Sequence, residues 1–303
     1  MVSREQIKSL LRGSIDLHLH ASPDRFARRQ SLREVARDAA ESGMLAIVVK
    51  NQDTLSSTLG SLVEEIVPGV KIFGGLVLNR AVGGFNPYAV EIAAKLGAKV
   101  IWMPSIDSAW TIEKFKRDPD KVSIYGSRVN KADSFNGLTI YEEGLQGTSV
   151  RREVIEIVEI IVANNLVLDT SHLSPQETMS LINLSKKMGA KRIMCSHINN
   201  PVIGATIPLM KRYAEEGVYL SYSLTPCMPG RAGQQPAEIA KMIREVGIDY
   251  ATIGTDFGKE DNPPPVEGMY MTIAHLLANG FNETEIRRIS KHNPALLLGL
   301  EVD

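Results

Sequence analysis

Cysteine is nearly missing from this chain: Cys195 and Cys227 are the only two in 303 residues. Two thiols make no disulfide framework, so a stapled secreted scaffold is excluded and a reducing compartment, the cytoplasm, is the expected setting. Long apolar runs are missing as well. No stretch reaches the ~20 residues of a membrane helix, and the opening MVSREQIKSLLRG reads as a charged amphipathic helix and not as a signal peptide. Neither sign of charge dominates, with 34 Lys and Arg against 35 Asp and Glu. That balance leaves no electrostatic footprint for nucleic acid or an anionic membrane. The short basic run Arg25, Arg28 and Arg29 reads as a solvated loop. No Gly-x-Gly-x-x-Gly follows any apolar run, which argues against a dinucleotide-binding doubly wound sheet. The partner these absences leave is a small molecule, with self-association into a homo-oligomer left open.

What is present is a regular alternation. The apolar runs are SIDLHLH (14–20), MLAIVVK (44–50), VKIFGGLVL (70–78), AKVIWMP (98–104), LVLDTSH (166–172), KRIMCSH (191–197), GVYLSYS (217–223) and ATIGTDF (251–257). Each is short, β-branched and apolar on both faces, as strands buried between a barrel interior and covering helices must be. The segments between them carry helix punctuation. Ser31 with Glu34, and Ser174-Pro175 with Glu177, have capping-box spacing; Asn86-Pro87 places a cap before a first-turn proline. Gly43, Gly97, Gly189, Gly217 and Gly247 stop helices just ahead of the next strand. Eight strands alternating with helices predict an α/β fold, a (β/α)8 TIM barrel spanning 1–303 as one domain, with a short N-terminal helix. Residues 105–150 are too long for a plain loop and form an insertion after strand four, in which NGLTIYEEGLQGTS suggests a small hairpin beside the site.

Barrels of this kind carry their chemistry at the C-terminal strand ends. Those ends hold Asp16, His18 and His20, then Lys50, Asn79 and Arg80, Ser105 and Asp107, Asp169 and His172, His197, Tyr222 and Asp256. Four of the six histidines fall there. In a strand, residues two apart share a face with Cα atoms about 6.6 Å apart, so His18 and His20 point at one spot. With a third imidazole from strand five and a carboxylate from strand eight, they form a mixed nitrogen–oxygen set suited to a divalent metal, zinc above all, as one ion or two. A lone histidine is more often a buried residue bonded to backbone, but four at strand ends argue for ligation.

IDLHLHASPD, His172, His197, GTDFG and the closing HNPALLLGL together resemble the amidohydrolase superfamily of metal-dependent hydrolases, in order along nearly the whole chain. The resemblance implies that His18, His20 and His172 bind metal. It implies that His197 binds a second metal or a substrate oxygen, and that Asp256 ligates metal and takes the proton of the attacking water. It points to hydrolysis of an amide, cyclic amide, ester or lactone. One departure matters. Binuclear members often carry a carboxylated lysine at the end of strand four, where this chain has Trp102-Met103-Pro104-Ser105. The site then holds one metal, or Lys50 bridges two if carboxylated; a substrate or ion-pair role for Lys50 is the favoured alternative. Lys50, Arg80, Asn79, Tyr222 and Asp107 are the candidates for contacting a substrate, an anionic one if the two cations serve it. Rival readings are a metal-dependent decarboxylase on the same barrel, a phosphoesterase of the polymerase and histidinol phosphatase type, and a non-catalytic metal-binding barrel. Asp256-Phe257-Gly258 lacks the Asp-x-His ending of the phosphoesterases. Cys195 reads as core, Cys227 as a residue near the site without a base, and His275 and His292 as helical residues of structural role.

Overall fold

All eight apolar runs form parallel strands in the computed structural model, which describes residues 2–116 and 137–301. They are β1 (Ile15–Leu19), β2 (Ala46–Val49), β3 in two pieces (Lys71–Phe73 and Gly75–Val77) either side of Gly74, and β4 (Val100–Trp102). After them come β5 (Val167–Asp169), β6 (Ile193–Cys195), β7 (Tyr219–Tyr222) and β8 (Ala251–Ile253). The first piece of β3 pairs with β2 and the second with β4, so the strand joins one ladder to the other. The remaining strands follow in chain order to β8. On the far side, β1 lies beside the segment just past β8. Leu19 bridges Phe257 in parallel, His20 N–H donates to Phe257 O at 2.8 Å, and Asp256 N–H donates to His18 O at 2.7 Å. The architecture is a (β/α)8 barrel.

The helices are α1 (Arg4–Leu11), α2 (Leu32–Glu41), α3 (Ser57–Ile66), α4 (Pro87–Lys95), α5 (Ala109–Lys116) and α6 (Arg152–Ala163). They continue as α7 (Pro175–Lys187), α8 (Ile207–Glu215), α9 (Pro236–Val246), α10 (Pro265–Ala278), α11 (Glu283–Arg287) and α12 (Asn293–Leu298). Their starts lie where the caps demand. Ser31 and Ser174 each close a full capping box with Glu34 and Glu177, and Asn86 accepts from Ala89 N–H ahead of α4. Gly43, Gly97, Gly189 and Gly217 follow helices with φ between 70° and 94°, the left-handed turn that ends a helix without a Cβ penalty. Apolar strand residues pack outward against this helical layer: Leu220, Tyr222 and Ile253 lie in one cluster with Ile239, Ile243 and Leu276. No helix of the described residues is long and apolar enough to cross a membrane.

Part of the insertion, 117–136, lies outside the described residues; what flanks it is ordered by hydrogen bonds. The expected hairpin is there, with Tyr141 bridging Val150 in antiparallel, Glu142 N–H donating to Ser149 O and Arg151 N–H to Ile140 O. Ala109 N–H donates to Leu138 O and Leu138 N–H to Asp107 O, both at 2.8 Å, so the returning chain buckles onto the start of α5. Glu177, 1% exposed, fastens the hairpin to α7: it accepts from Thr139 Oγ1 (2.7 Å), Ile140 N–H (3.1 Å) and Ser174 N–H (2.8 Å). A buried donor left without a partner costs ~1–3 kcal/mol. Glu177→Ala, which strands three donors, is therefore expected to destabilise the fold by about 3 kcal/mol, read as a shift of the urea midpoint at unchanged slope.

Candidate metal centre

The site is built where β1 meets the turn after β8. Asp16 holds the two together: its Oδ1 accepts from His18 N–H (3.0 Å) and Thr255 N–H (2.9 Å), and its Oδ2 from Thr255 Oγ1 (2.6 Å). Burial pushes the Asp16 carboxyl up to about 7 despite these bonds. The two glycines of GTDFG are required by close approach. A Cβ on Gly254 would meet His18 Cβ at 3.0 Å and Ser221 Oγ at 3.2 Å, and Gly258 (φ 135°) turns against the carbonyl of His20. Strand β1 also shifts register against β2 between Asp16 and Leu19, an irregularity of the kind that re-aims side chains next to active sites.

The outcome is a triad. Nε2 of His18 lies 3.5 Å and Nε2 of His20 3.4 Å from the same oxygen, Oδ1 of Asp256. The ligand atoms of these three residues all fall within 4.8 Å of one another. Across the barrel, His172 Nε2 lies 3.3 Å from His197 Nε2, and the rings of His18 and His197 are 5.2 Å apart. Four non-glycine residues of the described chain have positive φ, and Ser171 (48°), His197 (38°) and Asp256 (55°) are three of them, each just beyond a strand at this end of the barrel. Strain of this kind costs ~1–3 kcal/mol per residue and clusters where a side chain must be aimed. The four histidines are 2–7% exposed, while the Asp256 side chain is 17% exposed.

The protonation pattern tests whether a metal fits. His20 Nδ1 lies 2.8 Å from Lys50 O, and a carbonyl only accepts, so Nδ1 carries the proton. Burial and the nearby Arg28 hold His20 below its ordinary pKa, so the ring is neutral and Nε2 presents a bare lone pair to a carboxylate oxygen. Two lone pairs facing each other in a buried site repel unless a cation lies between them. His18 makes the same point. Burial, then Lys50, keeps it neutral, and neither ring nitrogen finds a hydrogen-bond partner among the described residues. Burial also lowers His172, and His197 down to about 4. For Asp256 burial pulls upward, but the contact with His20 and the charges around it bring the carboxyl below its usual value. Zinc with bonds of ~2.0–2.2 Å in a tetrahedron sets its donors about 3.3–3.6 Å apart, the separation found from each of His18 and His20 to Asp256 and between His172 and His197. The residues present fit a divalent metal.

Lys50 stands at the centre, 1% exposed, its Nζ 5.7 Å from the Trp102 ring. Burial brings it down to about 8 against the pull of Asp169 and Asp256, and Asp169 is itself pushed up to about 6 by burial. Asn79, by contrast, is consumed by structure: it bonds Gln52 O, Gln52 Oε1 and Ser105 Oγ, and accepts from Ser105 N–H. Arg80 is exposed, and its backbone N–H donates to Asp107 Oδ2 at 2.8 Å, so these two form a loop pair on the surface. Tyr222 points away from the histidine and aspartate cluster. Its ring packs among Pro236, Ile239, Ile243, His275 and Leu276, outside the strands, because the residue that turns inward beside His18 is its neighbour Ser221. Burial pushes the Tyr222 phenol well up.

One expectation about the surroundings changes. Arg28 is not solvated: its side chain is 3% exposed, paired with a fully buried Asp24 at 2.8 Å, while Arg25 lies over Phe26 and pairs with Asp53 at 3.2 Å. A run of arginines gives no sign in sequence that one of them folds under. Cys195 is core as expected, pushed up to about 12 by burial, and His275 and His292 stand on helical turns. Sequence reading missed Thr111 and Ser108, which touch His172, because α5 follows the strand end by several residues. It also missed Trp102, whose ring lies 6.3 Å from that of His18.

Comparison with known proteins agrees with this fold. An amidohydrolase from Pseudomonas aeruginosa superposes with a TM-score of 0.62 at 16% identity, over 96% of this chain and 98% of its own. The probable dipeptidase PvdM from the same organism gives 0.64 at 10% identity, over 97% of each chain. A 2,6-dihydroxybenzoate decarboxylase gives 0.57 at 12% identity, over 95% of this chain and 100% of its own. At these identities the likeness is one of fold, and it matches the superfamily resemblance read from IDLHLH and GTDFG. No curated protein matches the sequence. Residues 13–221, more than half of the chain and including His18, His20, Lys50, His172 and His197, match a family described only as one of unknown function, and the chain belongs to that family, the Family of unknown function (DUF6282).

Proposed function

We propose that this chain is a metal-dependent hydrolase acting on an amide, cyclic amide, ester or lactone bond of a small molecule. One observation carries the proposal: His20, with its proton committed to Lys50 O, turns a bare Nε2 toward the Asp256 carboxylate 3.4 Å away, inside a barrel of the amidohydrolase type. His18, His20 and Asp256 would hold the ion, with His172 and His197 completing its shell or holding a second one. Zinc is the expected metal for this donor set. When bound, it supplies Lewis acidity toward water and the scissile carbonyl.

The chain supplies the rest. Asp256 takes the proton of the attacking water on its carboxylate and returns it to the leaving group. Lys50 places an ammonium in a buried, low-dielectric interior, where it offsets negative charge developing on the substrate oxygen. His197, neutral and aimed by its left-handed backbone, donates to that oxygen or binds beside it. Trp102 walls the pocket and keeps water from Lys50. A decarboxylase on the same barrel is the second reading, favoured by the lack of a metal-bridging residue where β4 ends at Trp102-Met103-Pro104-Ser105. Release of carbon dioxide from a carboxylated aromatic substrate, with no hydrolysis of any amide or ester, would replace the first reading by the second.

Metal content is the primary test. Protein purified without added metal is expected to carry one or two zinc per chain by elemental mass spectrometry, and His18→Ala or His20→Ala to lose at least half of it. A wild type that takes up no divalent ion on reconstitution refutes the proposal. Asp256→Asn keeps a ligand oxygen but no base, so it is expected to retain most of the metal while kcat falls by ~10²-fold or more. Tyr222→Phe is expected to leave metal content unchanged and kcat/KM within about twofold. It removes only a buried hydroxyl without a partner among the described residues, at little cost in stability.

A further inference from the structure

The imidazole of the third histidine of the site meets the insertion at its Nδ1. Thr111, 1% exposed in the first turn of α5, places Oγ1 3.0 Å from His172 Nδ1. Ser108, also 1% exposed, places Oγ 2.9 Å from Thr111 Oγ1 and 2.8 Å from the backbone oxygen of His172 itself. Thr111 N–H donates to Ser108 Oγ at 3.0 Å. The contacts form a closed ring that runs from imidazole to threonine to serine and back to the carbonyl of the same histidine.

Counting protons settles the direction of the ring. Three contacts need three protons, and the two hydroxyls supply only two. The third must come from His172, so Nδ1 carries a hydrogen and donates to Thr111, Thr111 donates to Ser108, and Ser108 donates to the His172 carbonyl. A neutral imidazole protonated at Nδ1 has its lone pair on Nε2, the atom that faces His197. The ring therefore locks both the tautomer and the rotation of His172 in the ligating state. Its two hydroxyls cannot drift. Ala109 N–H is clasped by Leu138 O, and Trp110 Nε1–H donates to Val202 O at 2.8 Å, which ties α5 to the loop after β6. The ring of His172 meets His197 edge-on at 4.9 Å, so its orientation also sets that of the neighbouring imidazole.

We infer that Thr111, with Ser108 behind it, is the positioning residue of the metal centre: it fixes His172 as an Nε2 ligand and couples metal affinity to the insertion after β4. This rests on the metal-centre reading above. Groups that orient a metal-bound histidine from behind are worth ~10–100-fold in metal affinity.

The test uses the full chain, stripped of metal, with Zn²⁺ alone in competition with a chromophoric chelator and Co²⁺ alone as a spectroscopic probe. Thr111→Val, nearly isosteric but without the hydroxyl, is expected to bind Zn²⁺ 10–100-fold more weakly and to change the visible Co²⁺ bands. Thr111→Ser restores the hydroxyl and is expected to recover both to within about threefold, a rescue that a packing role for the side chain would not produce. Wild-type affinity and spectrum in Thr111→Val, or a Thr111→Ser as weak as the valine variant, overturns the inference. If the valine variant does not fold, the metal-free wild type still decides: histidine ¹⁵N NMR with His172 assigned must show its proton on Nδ1, and a proton on Nε2 overturns it. A wild type that binds neither ion refutes the metal-centre reading itself, a result separate from a wild type that binds and a valine variant that binds as well.

Discussion

The seam between β1 and the turn after β8 is the constraint on which the site depends. Asp16 reaches across it to Thr255, and the backbones of His18, His20, Asp256 and Phe257 interlock beside it. Without that seam the two histidines and the aspartate belong to segments more than two hundred residues apart. With it, both imidazoles meet one carboxylate oxygen in a site that water barely reaches. Burial then does the electrostatic work. It keeps the imidazoles neutral, brings Lys50 down to about 8 and pushes Asp169 up to about 6, each toward the form that costs least in a low dielectric.

The strain at this end of the barrel has the same origin. Ser171, His197 and Asp256 each take a left-handed backbone directly after a strand. An extended continuation would carry their side chains along the barrel wall; the reversal turns them over its mouth. The glycines of GTDFG let this happen at close range, because the β1 backbone lies where a Cβ would otherwise stand. The insertion contributes from outside the repeating β/α plan, its hairpin fastened by Glu177 and its first helical turn set against His172. Candidate ligands from the barrel and a support from an added segment let a common fold carry a site of its own character.

The sequence by itself determined the architecture. Eight short β-branched runs, serine and asparagine caps, and glycine stops each act within a few residues, and all of them reappear at the expected places. The H-x-H pair and Asp256 were legible for the same reason: strand periodicity and the barrel's strand-end rule are local and topological facts. Tertiary structure alone decided which neighbour at a strand end turns inward, and there Ser221 faces the site while Tyr222 packs under α9 and α10. A strand that curves as it ends does not announce its last inward residue. Arg28 folding under its loop, Asn79 spent on Gln52 and Ser105, and Thr111 behind His172 are likewise pairings between distant segments. Nothing in the residue types at those positions encodes the partner; only the packed barrel, by bringing the segments within hydrogen-bond reach and excluding water, selects it.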